Sequence, residues 1–333
     1  MSGRHAITLA ASVLPRDSPD PLRPEEAPAL AIDRRTFLAG AALTAASVCS
    51  PLAALRAARA IEPIRRNGKS KFKLSMAAYS YHSLLTAKPP KVTVEDFIAD
   101  CAALNLDGIE LTSYYLPQKP SPQQLNHLKN TAFLAGLDIS GTAVGNHFCH
   151  RPGPERQEQI DHVKRWIGYA ERLSAPVIRI FAGDPGKLPP AEAHKLVVSA
   201  IEECCQFAGE HGIMLALENH GGLTARVEDT LDLVRDVRSP WFGVNLDTGN
   251  FHTEDLYGDL AKLAPYAVNV QVKVSVSGPD GKRRPSDLHK LADIFRDAGY
   301  RGYIVLEFEE KEDPRVGCAK RIAALREAFD RHS

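Results

Sequence analysis

Eight times after Lys71, a short apolar or β-branched run gives way to a longer amphipathic stretch. The expected strands are Leu74–Tyr79, Gly108–Leu111, Ile139–Ala143, Val177–Phe181, Met214–Glu218, Phe242–Asp247, Ala267–Lys273 and Tyr303–Glu307. Helical periodicity is expected near 94–104, 122–134, 157–173, 190–211, 227–237, 256–263, 287–297 and 315–329. Strands separated by whole helices pair in parallel, through right-handed crossovers. Eight such units predict an α/β chain closed into a (β/α)8 TIM barrel, because open doubly wound sheets usually stop near about six strands. No Gly-rich dinucleotide or phosphate-loop fingerprint comes after any of these strands, which weakens the open-sheet alternative further. The punctuation agrees with the boundaries. Ser121-Pro122-Gln123-Gln124 reads as a capping box with proline at the first helical position. Gly136, Gly212 and Gly299 each fall between a helix and the next strand, where a left-handed residue ends the helix.

Ahead of this pattern lies a leader. Residues 1–33 are rich in proline and small residues and show no period. Next come Asp33-Arg34-Arg35-Thr36-Phe37-Leu38-Ala39, an alanine-rich apolar stretch to Leu55 and an Ala58-Arg59-Ala60 cut site. An arginine pair, a mildly apolar core and an A-x-A site make a twin-arginine export signal. Ser, Thr, Gly and Pro interrupt the apolar stretch, which is too short to span a bilayer well, so no stable membrane anchor is expected. Residues 1–60 are therefore read as a disordered tail plus twin-arginine signal peptide, and 61–333 as one barrel domain. The expected destination is the periplasm or another exported location, reached through the twin-arginine machinery.

Lys plus Arg and Asp plus Glu number 41 each, so the net charge is zero. That excludes the basic field that draws a protein to nucleic acid or anionic lipid. Past residue 60 the cysteines are Cys101, Cys149, Cys204, Cys205 and Cys318. The odd count, the adjacent pair and the lack of CxxC spacing argue against a disulfide framework or a zinc site. The sequence leaves the oligomeric state open.

The late strands carry the chemical information. In a barrel, alternate residues of each strand face the helices and the axis. Across Val268-Asn269-Val270-Gln271-Val272-Lys273 the valines take one parity and the polar residues the other, so Asn269, Gln271 and Lys273 face the axis. The same reading turns Arg179, Glu218, His220, Asn245, Asp247, Glu307 and Glu309 inward. Glu218, Asp247, Gln271 and Glu307 then stand at or near the carboxyl ends of four successive strands, where barrel enzymes keep their active sites. Three carboxylates converging in one cavity repel each other and resist desolvation unless a cation joins them. Three carboxylate oxygens with one amide oxygen suit a single hard divalent ion, Mn²⁺ or Mg²⁺, with Zn²⁺ or Co²⁺ also compatible.

The stretches VIRIFAG, LALENHGG, FGVNLDTGNF, NVQVKV and GYRGYIVLEFE resemble the xylose-isomerase-like barrel superfamily of sugar phosphate isomerases and epimerases, over about residues 70–332. The resemblance implies metal ligands on strands five to eight, which by match are Glu218, Asp247, Gln271 and Glu307. Gln271 stands where many members have histidine; hydroxypyruvate isomerase is similar in having Gln there. Asn250 likewise replaces a histidine seen in many epimerases, so their substrate contact at that point does not carry over.

Residues and resemblance together imply a divalent-metal-dependent isomerase or epimerase of a small sugar or keto-sugar, working by proton abstraction beside a carbonyl. Glu218 and Glu307 are the expected acid and base as well as ligands. Lys273, Arg179, His220, His147 and Glu110 are candidates for lining the substrate pocket. For each a structural role competes: an ion pair for Lys273, bridging of the ligands for Arg179, support of Glu218 for His220, and a purely structural place for His147 and Glu110. Arg283 and Arg284 are read as solvated loop residues. Two other functions fit the same barrel: a lyase or hydrolase of oxidised glycosides, and a non-catalytic sugar-binding barrel. A DNA-repair endonuclease would need a histidine-rich zinc cluster and a basic groove, and the sequence has neither.

Overall fold

The computed structural model describes residues 61–330; the expected leader, residues 1–60, lies outside them. Among the described residues the chain closes a barrel of eight parallel strands, in the order β1-β10-β7-β6-β5-β4-β3-β2. The strands are β1 Lys71–Ala77, β2 Gly108–Thr112, β3 Asp138–Ala143, β4 Val177–Ile180, β5 Met214–Glu218, β6 Phe242–Asp247, β7 Ala267–Val272 and β10 Arg301–Leu306. Around them run α1 Val94–Ala103, α2 Pro122–Leu134, α3 Pro154–Leu173, α4 Pro190–Glu210, α5 Val227–Asp236, α6 Leu256–Leu263, α7 Leu288–Asp297 and α8 Pro314–Asp330. None of the described helices is long and apolar enough to cross a membrane.

Local chemistry sets these boundaries. Ser121 and Gln124 form the expected capping box around Pro122, and Thr93 and Asp96 form a second one at α1. Gly136, Gly212 and Gly299 take φ of 74°, 67° and 63° at helix ends, which only glycine adopts without cost. Helix α3 buries Ile160, Val163, Trp166, Ile167, Ala170 and Leu173, a stripe at three- and four-residue spacing that seals it onto the sheet. All five described cysteines are buried and free.

The structure departs from the sequence expectation at the first strand and again after β7. Strand β1 runs Lys71–Ala77 rather than Leu74–Tyr79: Lys71, Phe72 and Lys73 pair with Arg301, Gly302 and Tyr303 at the bottom of the barrel, and Ala78–Tyr81 leaves the sheet as a 3-10 turn. The second departure lies after β7, where the sequence predicts a loop. There β8 Ser275–Ser277 and β9 Arg283–Pro285 form an antiparallel hairpin. Its arginines are engaged, Arg283 with Glu310 at 2.7 Å and Arg284 with Asp280 at 2.6 Å. The turn Gly278-Pro279-Asp280-Gly281 carries the residues that favour such a reversal.

Candidate active site

Strand register brings three of the four expected ligands to one level, with the fourth, Gln271, just beneath. Glu218 pairs with Asn245, two residues before Asp247; Asp247 pairs with Gln271; Gln271 pairs with Val305, two residues before Glu307. An eight-strand barrel of shear 8 displaces residues of equal height by about one position per strand. Steps of two, none and two follow that climb only on average: Glu218, Asp247 and Glu307 gather at the carboxyl end, while Gln271, with no step from Asp247, falls just below them. All four are buried.

Side-chain amides fix this layer from the backbone outward. Asn219 donates to the Asp247 carbonyl at 3.0 Å and accepts from the Asp247 N–H at 2.9 Å, extending the β5–β6 ladder past its last strand residue. Asn250 donates to Glu218 Oε1 at 2.9 Å, and Arg179 reaches Glu218 Oε2 at 2.9 Å. Arg179 and Asn250 therefore orient Glu218. His220, expected in that role, is exposed and rests its ring 4.5 Å from Phe181.

Lys273 stands among the carboxylates. Its Nζ lies 3.3 Å from Asp247 Oδ2, 3.1 Å from Glu307 Oε2 and 3.1 Å from Glu309 Oε2. Burial dominates the electrostatics of the acids. It pushes Glu218 up to about 7 against the pull of Arg179, and Glu307 up to about 8 against the pull of Lys273. Asp247 is raised for the same first reason. Burial alone would lower Lys273, but Asp247, Glu307, Glu309 and Glu218 together raise it above the usual lysine range.

Gln271 faces a second, lower assembly. Its Oε1 accepts from Asn245 Nδ2 at 2.7 Å, and its Nε2 donates to Glu110 Oε2 at 2.5 Å. Asn269 closes the ring by donating to Glu110 Oε1 at 2.7 Å and Asn245 Oδ1 at 2.8 Å. Glu110 is thus caged in amides beneath the carboxylate layer, and burial holds its carboxyl at about 7. While Glu110 is ionised, this ring fixes the sense of the Gln271 amide, since a carboxylate can only accept. Sequence parity turns Asn245 and Asn269 inward but does not identify their partners.

Other expected residues sit apart from this centre. His147, in the loop after β3, accepts from the Asp184 N–H at 3.1 Å and packs on Gly183, while its Nδ1 is buried without a partner. On the β1 and β2 side an aromatic wall borders the charged layer. Tyr79 and Tyr114 meet edge to face at 6.4 Å, and Tyr79 is raised by burial and then by Glu309 and Glu307. Tyr79-Ser80-Tyr81 and Tyr114-Tyr115 come directly after strands in the sequence, and that position is the available signal for this wall.

The centre can be tested for a divalent ion. Asp247 Oδ2 is fully buried and makes no well-formed hydrogen bond; the cation beside it is the Lys273 ammonium at 3.3 Å. Glu110, Glu218, Asp247 and Glu307 face two buried cations, Arg179 and Lys273, so the fully ionised cluster lacks two positive charges. The donor chemistry and the charge deficit fit a divalent ion. The spacing is that of a cluster gathered on an ammonium: among the described residues no three His, Cys, Asp or Glu side chains are drawn together tightly enough to hold a metal.

The family model of the xylose isomerase-like TIM barrel matches residues 98–330. The chain belongs to this family. Among solved structures that share the fold, the D-psicose 3-epimerase of Clostridium cellulolyticum H10 with D-tagatose is 17% identical at a TM-score of 0.65, covering 77% of this chain and 99% of that one. The E. coli 3-keto-D-glucoside 4-epimerase is 18% identical at 0.59, covering 78% and 100%. A xylose isomerase domain protein from Planctomyces limnophilus is 14% identical at 0.58, covering 80% and 100%. No curated protein matches the sequence.

Proposed function

We propose that this xylose isomerase-like barrel is a divalent-metal-dependent isomerase or epimerase of a small sugar or keto-sugar, which moves a proton on the carbon beside a carbonyl. The observation that carries the reading is the convergence of Glu218 and Glu307, buried on either side of Asp247 at the carboxyl end of the barrel. In the metal-free chain burial raises both carboxyls above the usual carboxylate range, and a bound ion would lower them toward the ionised form that can accept a proton. One takes the proton from carbon on one face of the substrate, and the other returns it. Arg179 and Asn250 keep the Glu218 oxygens aimed, and burial excludes water from both acids.

Oxygens of Glu218, Asp247 and Glu307 would hold the ion, and Gln271, expected as the fourth ligand, would join them only by withdrawing its Oε1 from Asn245; this donor set favours Mn²⁺ or Mg²⁺ over Zn²⁺ or Co²⁺. When bound, a divalent ion polarises the substrate carbonyl and offsets the negative charge that develops on its oxygen. Similar barrels are named for ketoses and keto-sugars, including D-psicose, L-ribulose and a 3-keto-D-glucoside, each with a ketone beside a carbinol carbon. The Arg34-Arg35 leader supports export, so the substrate is read as an unphosphorylated sugar met outside the cytoplasm.

The test is incubation of Mn²⁺-loaded protein with a panel of ketoses and keto-glycosides in D₂O, with products read by NMR. Deuterium at a single carbon next to the carbonyl is expected. Release of a leaving group would assign a lyase instead, and a sugar that binds without exchange or conversion would leave a binding barrel.

A further inference from the structure

Lys273 is held by more than its charge. Its backbone N–H donates to Thr248 Oγ1 at 3.0 Å, and its carbonyl accepts from Ser286 Oγ at 2.5 Å. Its stem crosses Gly249 so closely that a Cβ there would stand 2.8 Å from Lys273 Cδ. The turn after β6 and the exit of the β8–β9 hairpin thus form a track that delivers the ammonium into the carboxylate layer. There Nζ meets Asp247, Glu307 and Glu309, and donates to Asn250 Oδ1 at 3.2 Å.

Four acceptors surround three ammonium protons, so a lysine that leaves Asp247 and Glu307 still keeps Glu309 and Asn250 as partners. The acceptors differ in depth. Asp247 is fully buried and Glu307 is 10% exposed, whereas Glu309 is 37% exposed at the rim. The deeper pair are two of the proposed metal ligands, and their oxygens cannot face an ammonium and a divalent ion equally.

We propose that Lys273 is a built-in counter-cation that competes with the divalent ion for Asp247 and Glu307, and that ion entry shifts the ammonium outward onto Glu309 and Asn250. The inference rests on the metal reading proposed for this site. In the metal-free protein the lysine neutralises acids that would otherwise repel each other in a dry cavity. Once an ion is present, the same positive charge stands a few ångströms from it and weakens its binding. Lys273 is in these terms a positioning residue: it sets where the carboxylates stand before the ion arrives.

Isothermal titration of Mn²⁺ into the chelator-stripped full chain, with thermal melts of the same samples, tests this. Lys273→Met is expected to bind Mn²⁺ about tenfold tighter or more, the scale of removing one nearby like charge. Its metal-free form should melt lower than wild type, with the gap narrowing at Mn²⁺ saturation. Lys273→Arg keeps the charge and should bind Mn²⁺ close to wild type. If metal-free Lys273→Met does not fold, its recovery on refolding with Mn²⁺ supports the proposal, and failure with Mn²⁺ as well overturns it. Unchanged or weaker binding by Lys273→Met, an unchanged metal-free melt, or equal tightening by Lys273→Arg would each overturn the competition while leaving the metal reading intact. Absence of Mn²⁺ binding in wild type and Lys273→Met alike would overturn both.

Discussion

Two lysines stand at opposite ends of the barrel, each beside an aspartate, and the contrast between them separates support from chemistry. At the amino-terminal end Lys73 lies 3.1 Å from Asp138, with side chains 41% and 65% exposed, and Tyr303 completes the group. At the carboxyl-terminal end Lys273 lies 3.3 Å from Asp247, with side chains 12% and 0% exposed. The distances are nearly equal and the surroundings are not. Water screens the lower pair, so it contributes about 1 kcal/mol at most. The upper pair is desolvated, so removing either partner strands an uncompensated charge at about 3–5 kcal/mol. The lower end can change without consequence for the proposed reaction. The upper end cannot.

The largest expected difference is in turnover. Glu218→Gln and Glu307→Gln should each lower the rate about 10²–10⁴-fold at full metal occupancy, the range for losing a general acid or base. Asp138→Asn at the opposite end should leave the rate unchanged, and deuterium exchange read by NMR tracks both. If both glutamine variants retained wild-type exchange, the contrast would lose its chemical meaning. Next comes stability. In denaturant unfolding without metal, Lys273→Met should lose about 3–5 kcal/mol and Lys73→Met about 1 kcal/mol or less. Equal losses would show that burial does not distinguish the two lysines.

Proton linkage sharpens the same comparison with a smaller effect. Burial raises Glu218 to about 7 and Glu307 to about 8, above an unfolded value near about 4.3. Between those limits the folded chain binds more protons than the unfolded one, so metal-free stability should fall as pH rises from about 4.5 to about 8. Asp138 works the other way. Tyr303 and Lys73 lower it, so its contribution is present above the unfolded value and fades as pH drops. Unfolding midpoints measured across that range should slope less in Glu307→Gln, and a slope identical to wild type would remove Glu307 from the account. The smallest effect is salt: the Lys73–Asp138 coupling, taken from a double-mutant cycle, should vanish near about 1 M salt while the Lys273–Asp247 coupling persists.

How much of this is legible in the sequence depends on whether one strand suffices. The period-two split of Val268, Val270 and Val272 from Asn269, Gln271 and Lys273 needs no partner, so the facing of each residue can be read directly. Which inward residues touch depends on register and shear. For that reason the sequence offers Glu110 as a pocket residue, while the structure cages it between Gln271 and Asn269, whose chain positions are about 160 residues away. The hairpin is hidden because its strands are three residues each, too short for alternation to stand out from a loop. Strand β1 reads three residues late at its start because Lys71 and Lys73 resemble surface positions until Tyr303 and Asp138 are placed beside Lys73.

The five buried sulfurs give the fold a consequence for its surroundings. Burial raises the thiols of Cys101, Cys149, Cys204, Cys205 and Cys318, which leaves almost no thiolate at neutral pH. An oxidant that meets the folded domain therefore finds none of these sulfurs open to attack. Oxidative loss through them would proceed only as fast as the barrel opens, and a chain that folds before it reaches an oxidising compartment would enter it already protected.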